Sequence, residues 1–146
     1  MHPSIHLNPV AIVVAAVVSF VIGGLWYGPL FGSAWKKEMG VPPDAKPEGG
    51  EMGKALGINI VGTLLTAFVL AHEVAVWRPS AWNAGPDSPP AVYGFFAGLF
   101  TWLGFAVPVL LNGVSFERKS WKLFSINAAF LFVSFQVIAM ILSFWR

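Results

Sequence analysis

Four side chains that could ligate a metal lie next to the long apolar runs of the chain. His2 and His6 stand in the N-terminal tail, and His72 and Glu73 are adjacent near the end of the second apolar run. Imidazole nitrogens and a carboxylate are a reasonable ligand set for zinc or copper. All four residues are predicted on the same side of the membrane, so they define a hypothesis of a metal site. The alternative is that the tail histidines are simply solvated, because prolines make the tail irregular.

A second set of polar side chains lies inside the apolar runs: Asn59, Thr63, Thr66, Glu73, Asn127 and Gln136. The first four superimpose on one helical face at 3.6 residues per turn. An ionisable group inside a membrane is costly and is by default a hypothesis of a functional site. The set could line a pathway for an ion or small solute. It could instead hold helices together, and in that case Asn59 and Asn127 could hydrogen-bond across two spans.

A third set is aromatic and lies where the first apolar run ends, in the segment 25–35. It comprises Trp26, Tyr27, Phe31 and Trp35. Trp and Tyr settle at the headgroup level of a bilayer, and Pro29 cannot continue a regular helix. The segment is therefore predicted to anchor the end of the first span. Four aromatic side chains exceed what an anchor needs, so the segment is also a hypothetical docking surface for a partner or a second protomer.

The elements that position these residues are predicted to be transmembrane helices. The chain of 146 residues is 56% hydrophobic and 11% charged, whereas soluble domains are about 25% charged. A span needs about 20 apolar residues, so four spans use nearly the whole chain and form a single domain, 1–146. They are predicted at residues 9–28, 52–77, 91–112 and 123–145, with a kink at Pro108.

The orientation follows from the distribution of lysine and arginine. These residues accumulate in the connection after the first span and in the turn after the third, while the N-terminal tail has none. The positive-inside rule then places both termini outside the cytoplasm. The predicted fold class is all-α, with four antiparallel transmembrane helices and both termini non-cytoplasmic.

Small residues recur at helical spacing on three of the four spans. The stripes are Ala11, Ala15, Ser19 and Gly23 on the first span, Gly53 and Gly57 on the second, and Gly94 and Gly98 on the third. Such stripes let helix backbones approach closely in a membrane. They could pack the bundle or join protomers. Because three stripes exceed what one bundle needs, we expect a homo-oligomer or a larger membrane complex.

The same landmarks carry a family resemblance. The run Leu25-Trp26-Tyr27-Gly28-Pro29-Leu30-Phe31-Gly32-Ser33-Ala34-Trp35, followed by Trp102-Leu103-Gly104-Phe105, Phe116-Glu117-Arg118 and Trp121-Lys122-Leu123-Phe124, resembles the small bacterial membrane proteins catalogued as domain of unknown function 1761. The resemblance implies a four-span protein of the bacterial inner membrane. It implies no reaction, ligand or catalytic residue.

Composition, charge and the motif search limit the classes of function that the chain can have. The chain has no cysteine, which excludes disulfides, thiolate nucleophiles and iron–sulfur ligation. Its net charge of +2 is too small to suggest a nucleic-acid partner, and no catalytic or phosphate-binding motif is visible, so neither an enzyme nor a cofactor is expected. The leading hypothesis is a homo-oligomeric structural or accessory subunit in contact with the lipid bilayer. A small channel or transporter is the alternative, followed by a metal-binding protein.

Overall fold

The computed structural model describes residues 2–146 and consists of helices joined by short connections. The α-helices in that range are α1 (Pro9–Leu25), α2 (Gly32–Glu38), α3 (Glu51–Val76), α4 (Pro90–Thr101), α5 (Val107–Ser115) and α6 (Trp121–Phe144). A five-residue π turn, Trp102–Ala106, joins α4 to α5. The residues Trp26–Leu30 follow α1 as a turn that is interrupted at Gly28. The predicted all-α fold class is confirmed.

Within residues 2–146, four helical segments are long and apolar enough to cross a bilayer. They are Pro9–Leu30, Glu51–Val76, Pro90–Ser115 and Trp121–Phe144. Their lengths of 22 to 26 residues correspond to about 33–39 Å at 1.5 Å per residue, and the hydrocarbon core of a bilayer is about 30 Å thick. Each of these segments can therefore span the membrane.

Local sequence determines both ends of the first span. The side chain of Asn8 accepts hydrogen bonds from two backbone N–H groups of the first turn, and Pro9 occupies the first helical position, where a missing N–H costs nothing. At the other end Gly28 leaves the helical region, with φ −101° and ψ −105°, directly before Pro29. The chain turns there and continues into α2, so the segment that was predicted to end the span does so.

The core of the bundle is built from small side chains. Its buried members include Ala11, Ala15, Ala16, Ser19, Ala67, Ala71, Ala97 and Ala139. In a membrane, helices associate through close van der Waals packing rather than through the hydrophobic effect, and small residues permit that approach. The most extensive contact is between α4 and α6. A Cβ built on Gly94 would lie 2.8 Å from Ser143 Oγ and 3.1 Å from the backbone carbonyl oxygen of Ala139, so a larger residue there would push α6 away.

A π turn accompanies the proline of the third span. The backbone N–H of Val107 donates to the carbonyl of Trp102, five residues earlier. Pro108 follows within the first turn of α5, where its missing N–H is tolerated. The indole Nε1 of Trp102 donates to the carbonyl of Ala128 at 2.8 Å. The irregular turn is thereby fixed against α6.

The bundle has two chemically distinct ends. At the terminal end, the side-chain amide of Asn8 donates to the carbonyl oxygen of Arg146 at 3.1 Å, which brings the tail and the C-terminal residue together. At the basic end, Ser120 Oγ donates to Glu38 Oε2 at 2.5 Å, and seven of the nine Lys and Arg residues lie in this region. Asn8 and Arg146 are thus at one end of an antiparallel bundle, and the side of the membrane that this end faces stays a prediction.

Candidate functional site

The predicted metal ligands are not brought together. His72 Nδ1 lies 2.9 Å from the carbonyl oxygen of Phe68 on its own helix, and Glu73 Oε2 accepts a hydrogen bond from Trp77 Nε1 at 3.2 Å. Within residues 2–146, no three His, Asp or Glu side chains are close enough to hold one ion. The structure therefore does not bring His2, His6, His72 and Glu73 together as one ligand set, and a metal site formed by them stays a prediction.

The polar intramembrane set is satisfied mainly within single helices. Thr63 Oγ1 donates to the carbonyl of Asn59, and Thr66 Oγ1 donates to the carbonyl of Gly62, each one turn earlier. Such back-bonding satisfies a hydroxyl without a partner helix. The hydroxyls of this stripe are consequently directed at their own helix rather than at a shared pathway.

The two amides of α6 find partners on other helices, although not the predicted ones. Asn127 Oδ1 accepts a hydrogen bond from Tyr27 OH at 2.7 Å. Gln136 Nε2 donates to the carbonyl of Phe95 at 3.2 Å. Asn59, the partner considered for Asn127, is exposed on α3. Both amides of α6 therefore bond to other helices, and their partners are the first and third spans rather than Asn59 on α3.

The aromatic segment packs on the fourth span of its own chain. Trp26 Nε1 donates to the carbonyl of Ile126 at 3.1 Å, and the Tyr27 and Phe130 rings meet edge to face with centroids 5.1 Å apart. The Phe31 ring lies 4.6 Å from that of Trp26, and the Trp35 ring lies 6.0 Å from that of Tyr27. The segment therefore forms an intramolecular cluster at the basic end, which accounts for its density of aromatic residues.

Two of the three small-residue stripes are used inside the bundle. On the first span, Ser19 Oγ lies 2.6 Å from Ser134 Oγ, and a Cβ built on Gly23 would meet the Phe130 ring at 3.3 Å. On the third span, a Cβ built on Gly98 would lie 3.1 Å from the carbonyl oxygen of Phe135. Both stripes face α6, so they pack the protomer rather than join protomers.

The third stripe, on α3, is not covered by another helix among residues 2–146. We define the open face of α3 as Gly53, Leu56, Gly57 and Ile60. A Cβ built on Gly53 or on Gly57 would have no neighbouring atom of residues 2–146 within 4 Å. Leu56 is 46% exposed, and every residue from Glu51 to Asn59 is exposed. This face is the candidate functional site of the chain.

The open face is continuous with the packed face of the same helix. Ala67 follows Gly53 by fourteen residues, and Ala71 follows Gly57 by the same number. Fourteen residues make nearly four complete turns, so each pair lies on about the same side of α3. Ala67 and Ala71 are buried in the core. α3 is therefore packed in its terminal half and leaves the bundle toward the basic end.

A groove of about 500 Å³ runs beside the packed half of α3. It lies between α3, the third span and α6, with an apolar lining that includes Leu65, Val69, Phe105 and Val109, while Glu73 contributes a carboxylate. Such a lining suits lipid tails. α3 is consequently held mainly by α1 and α6, whereas its contact with α4 is sparse.

A cluster of charged side chains lies at the terminal end, and the sequence alone did not predict it. Arg78 and Arg146 both approach one carboxylate oxygen, Asp87 Oδ2, at 3.6 and 3.5 Å. Ser80 donates two hydrogen bonds to Asp87, from its backbone N–H and its hydroxyl, both at 2.9 Å. The sequence did contain an indication of this cluster, because Arg78 and Arg146 are the two Lys or Arg residues that lie outside the Lys- and Arg-rich segments. Their convergence depends on the tertiary fold.

These features define a multi-pass α-helical membrane protein. The chain belongs to the family of proteins of unknown function designated DUF1761, whose profile matches residues 10–143. The resemblance carried by the aromatic run and the later landmarks is thereby confirmed. Neither a curated protein nor a solved structure matches the chain.

Proposed function

We propose that the chain is a non-enzymatic subunit of a homo-oligomer in the bacterial inner membrane, with both termini on the non-cytoplasmic side. The observation that carries this proposal is the open face of α3. A four-span protomer of this size offers its lateral surface to lipid or to protein, and Gly53 and Gly57 give that surface a place where a second backbone can approach closely.

The other stripes of the same chain support this interpretation. Where small residues recur at helical spacing on α1 and α4, they are in contact with α6. A glycine in a helix interior is unfavourable relative to alanine by about 1 kcal/mol. Close packing against a partner offsets that cost in α4, and a second copy would offset it in α3.

The spacing of the glycines favours a second copy as the partner. Gly53 and Gly57 have the small-xxx-small spacing at which two identical helices can cross with their backbones close together. A two-fold axis at such a crossing uses the same patch on both protomers.

Cysteine cross-linking tests the proposal directly, because the chain has no native cysteine. Gly57→Cys should form a disulfide-linked dimer under mild oxidation in native membranes. Gly24→Cys is the matched control, since Gly24 is also exposed and also has no neighbour among residues 2–146 within 4 Å of a built Cβ. It should stay largely monomeric.

The oligomeric state gives an independent measurement. Gly57→Leu should reduce the wild-type oligomer to a single protomer in mild detergent and in nanodiscs, whereas Gly24→Leu should leave it unchanged. A wild-type mass of one protomer in both media would overturn the proposal. Equal cross-linking at the two positions would show that encounter is random rather than directed by the open face.

The channel hypothesis has less support from the geometry. A pathway along α3 would use the hydroxyls of Thr63 and Thr66, and both are bonded to carbonyls of their own helix. The groove beside α3 is mainly apolar. These contacts favour a packing role for the polar set over a conducting role.

A further inference from the structure

The groove beside α3 differs from an ordinary lipid-facing surface because it contains a carboxylate. Its volume is about 500 Å³, which lies within the range of about 300–1,000 Å³ typical of small-molecule sites. The third span contributes Phe105 and Val109 to the lining, and α6 contributes Phe135. Glu73 lines the groove on α3 and is its one ionisable group among residues 2–146. The groove therefore combines a mainly apolar wall with a single acidic side chain.

Helical spacing places Glu73 on the groove side of α3. Glu73 follows Leu70 by three residues and Val69 by four, and residues at these spacings lie on the same side of a helix. Both of these apolar residues line the groove. Trp77, one turn beyond Glu73, donates its Nε1 to Glu73 Oε2 at 3.2 Å. The carboxylate is thus held at the terminal end of the groove, within one turn of the end of α3 at Val76.

No basic side chain of residues 2–146 forms an ion pair with Glu73. The two basic residues nearest to it in the sequence have other partners. His72 Nδ1 lies 2.9 Å from the carbonyl oxygen of Phe68, and the guanidinium of Arg78 is directed at Asp87. A carboxylate beside apolar surface is unfavourable unless a positive charge accompanies it. A cation bound in the groove would therefore be stabilised by Glu73.

The rest of the wall determines which kind of cation fits. Leu65 and Leu110 are among its aliphatic side chains, and Phe105 and Phe135 add aromatic surface, which attracts cations. A small inorganic ion would lose its hydration shell against these side chains, whereas an organic cation carries apolar groups that match them. We infer that the groove binds a lipophilic organic cation, with its charge near Glu73 and its apolar groups against the third span and α6.

Two ions of similar shape and opposite charge test the inference. The purified full chain in a neutral detergent is titrated calorimetrically with tetraphenylphosphonium and, in potassium-free buffer, with tetraphenylborate. Each ion has four phenyl groups around one central atom, so the two differ mainly in the sign of their charge. Tetraphenylphosphonium should bind saturably and more tightly than tetraphenylborate, by about tenfold. Comparable affinities, tighter binding of the anion or no saturable binding of the cation would overturn the inference.

Removal of one negative charge shows whether the cation is bound at Glu73. Glu73→Gln keeps the length of the side chain and an oxygen that can accept from Trp77, so the fold should persist. Binding of tetraphenylphosphonium should weaken about fivefold or more, as expected for the loss of one partly exposed ion pair. Glu48→Gln makes the same substitution in the exposed connection before α3 and should leave the affinity unchanged. Equal weakening in both variants, or unchanged affinity in Glu73→Gln, would contradict the inference.

A larger side chain in the groove tests the location of the cation without changing any charge. Val109 lines the groove and is 68% exposed, so Val109→Trp should fill the groove without disturbing the core, and saturable binding should be lost. Val13→Trp is the matched control, because Val13 is 51% exposed on α1 and lies outside the groove. Unchanged affinity in Val109→Trp, or equal loss in both variants, would place the cation elsewhere and overturn the inference. This pair decides the matter if Glu73→Gln does not fold.

Discussion

The hydroxyls of Ser19 and Ser134 meet at the interface between α1 and α6. Their oxygens are 2.6 Å apart, and the two residues are 2% and 5% exposed. A serine on a helix can also turn to a carbonyl of the preceding turn. The net value of the pair is therefore modest, on the order of 0.6 kcal/mol, as is typical of hydrogen bonds between membrane helices.

We expect Ser19→Ala and Ser134→Ala each to lower the free energy of unfolding by about 0.6 kcal/mol, and the double variant to lower it by about the same amount as either one. Reversible unfolding in mixed micelles gives this double-mutant cycle. Ser125→Ala is the control, because Ser125 is exposed on the same helix and bonds to the carbonyl of Trp121. Additive losses would show that the two hydroxyls do not interact.

Sequence reasoning identified most of the polar side chains inside the spans but not their partners. The pattern that placed Thr63 and Thr66 on one face is equally compatible with a bond to a neighbouring helix and with the observed bonds to their own helix. Both satisfy the hydroxyl. Similarly, the amide of Asn127 was correctly placed inside the fourth span, but the choice of Tyr27 over Asn59 depends on how far α3 leans from the bundle.

At the scale of elements, the contact between α4 and α6 depends on glycine. A Cβ at Gly94 would lie 2.8 Å from Ser143 Oγ, 2.9 Å from Met140 Sδ and 3.1 Å from the carbonyl oxygen of Ala139. The last of these atoms belongs to the backbone and cannot rotate away. The helices would have to separate to accept even one methyl group.

Gly94→Ala should therefore destabilise the protein by about 1–3 kcal/mol, the usual cost of overpacking. Gly62→Ala is the matched control, because Gly62 is exposed on α3 with no neighbour among residues 2–146 within 4 Å of a built Cβ. Its higher helix propensity should leave stability unchanged or slightly increased. A shift in melting temperature of equal size for both variants would contradict the importance of the α4–α6 contact.

The elements themselves were largely predictable because apolar runs of bilayer length allow little besides a helix. The small-residue stripes were equally visible, but their use was not. Glycines on α3 and α4 have the same spacing, and only the packing of α6 against α4 distinguishes a covered stripe from an open one. The aromatic segment shows the same difficulty, since the partner of Trp26 proved to be the chain's own α6.

At the scale of the whole molecule, the positive-inside rule makes a prediction that single cysteines can check. Ser88 is exposed in the loop at the terminal end, and Ser115 is exposed at the basic end. In intact cells, Ser88→Cys should react with a membrane-impermeant maleimide, and Ser115→Cys should react only after permeabilisation. The reverse labelling pattern would place both termini in the cytoplasm.

The convergence at the terminal end was beyond sequence reasoning. Arg78 and Asp87 belong to one loop, and Arg146 is separated from them by two complete spans, so the antiparallel arrangement is needed to bring Arg146 to the same place. Counting spans predicts that the tail, the loop and the last residue share a side of the membrane. It does not predict that two arginines share one carboxylate there.

The π turn between α4 and α5 changes how the sequence of the third span aligns with the corresponding helix of a related protein. A π turn contains one residue more than the equivalent α-helical path, which offsets the following helix by about 100°. With that offset, the sheltered positions Ala106, Leu110 and Gly113 continue the side of the span on which Gly94 and Gly98 meet α6. An alignment with a relative whose third helix is regular therefore requires a one-residue gap between Thr101 and Val107, and an ungapped alignment would pair inward positions with lipid-facing ones.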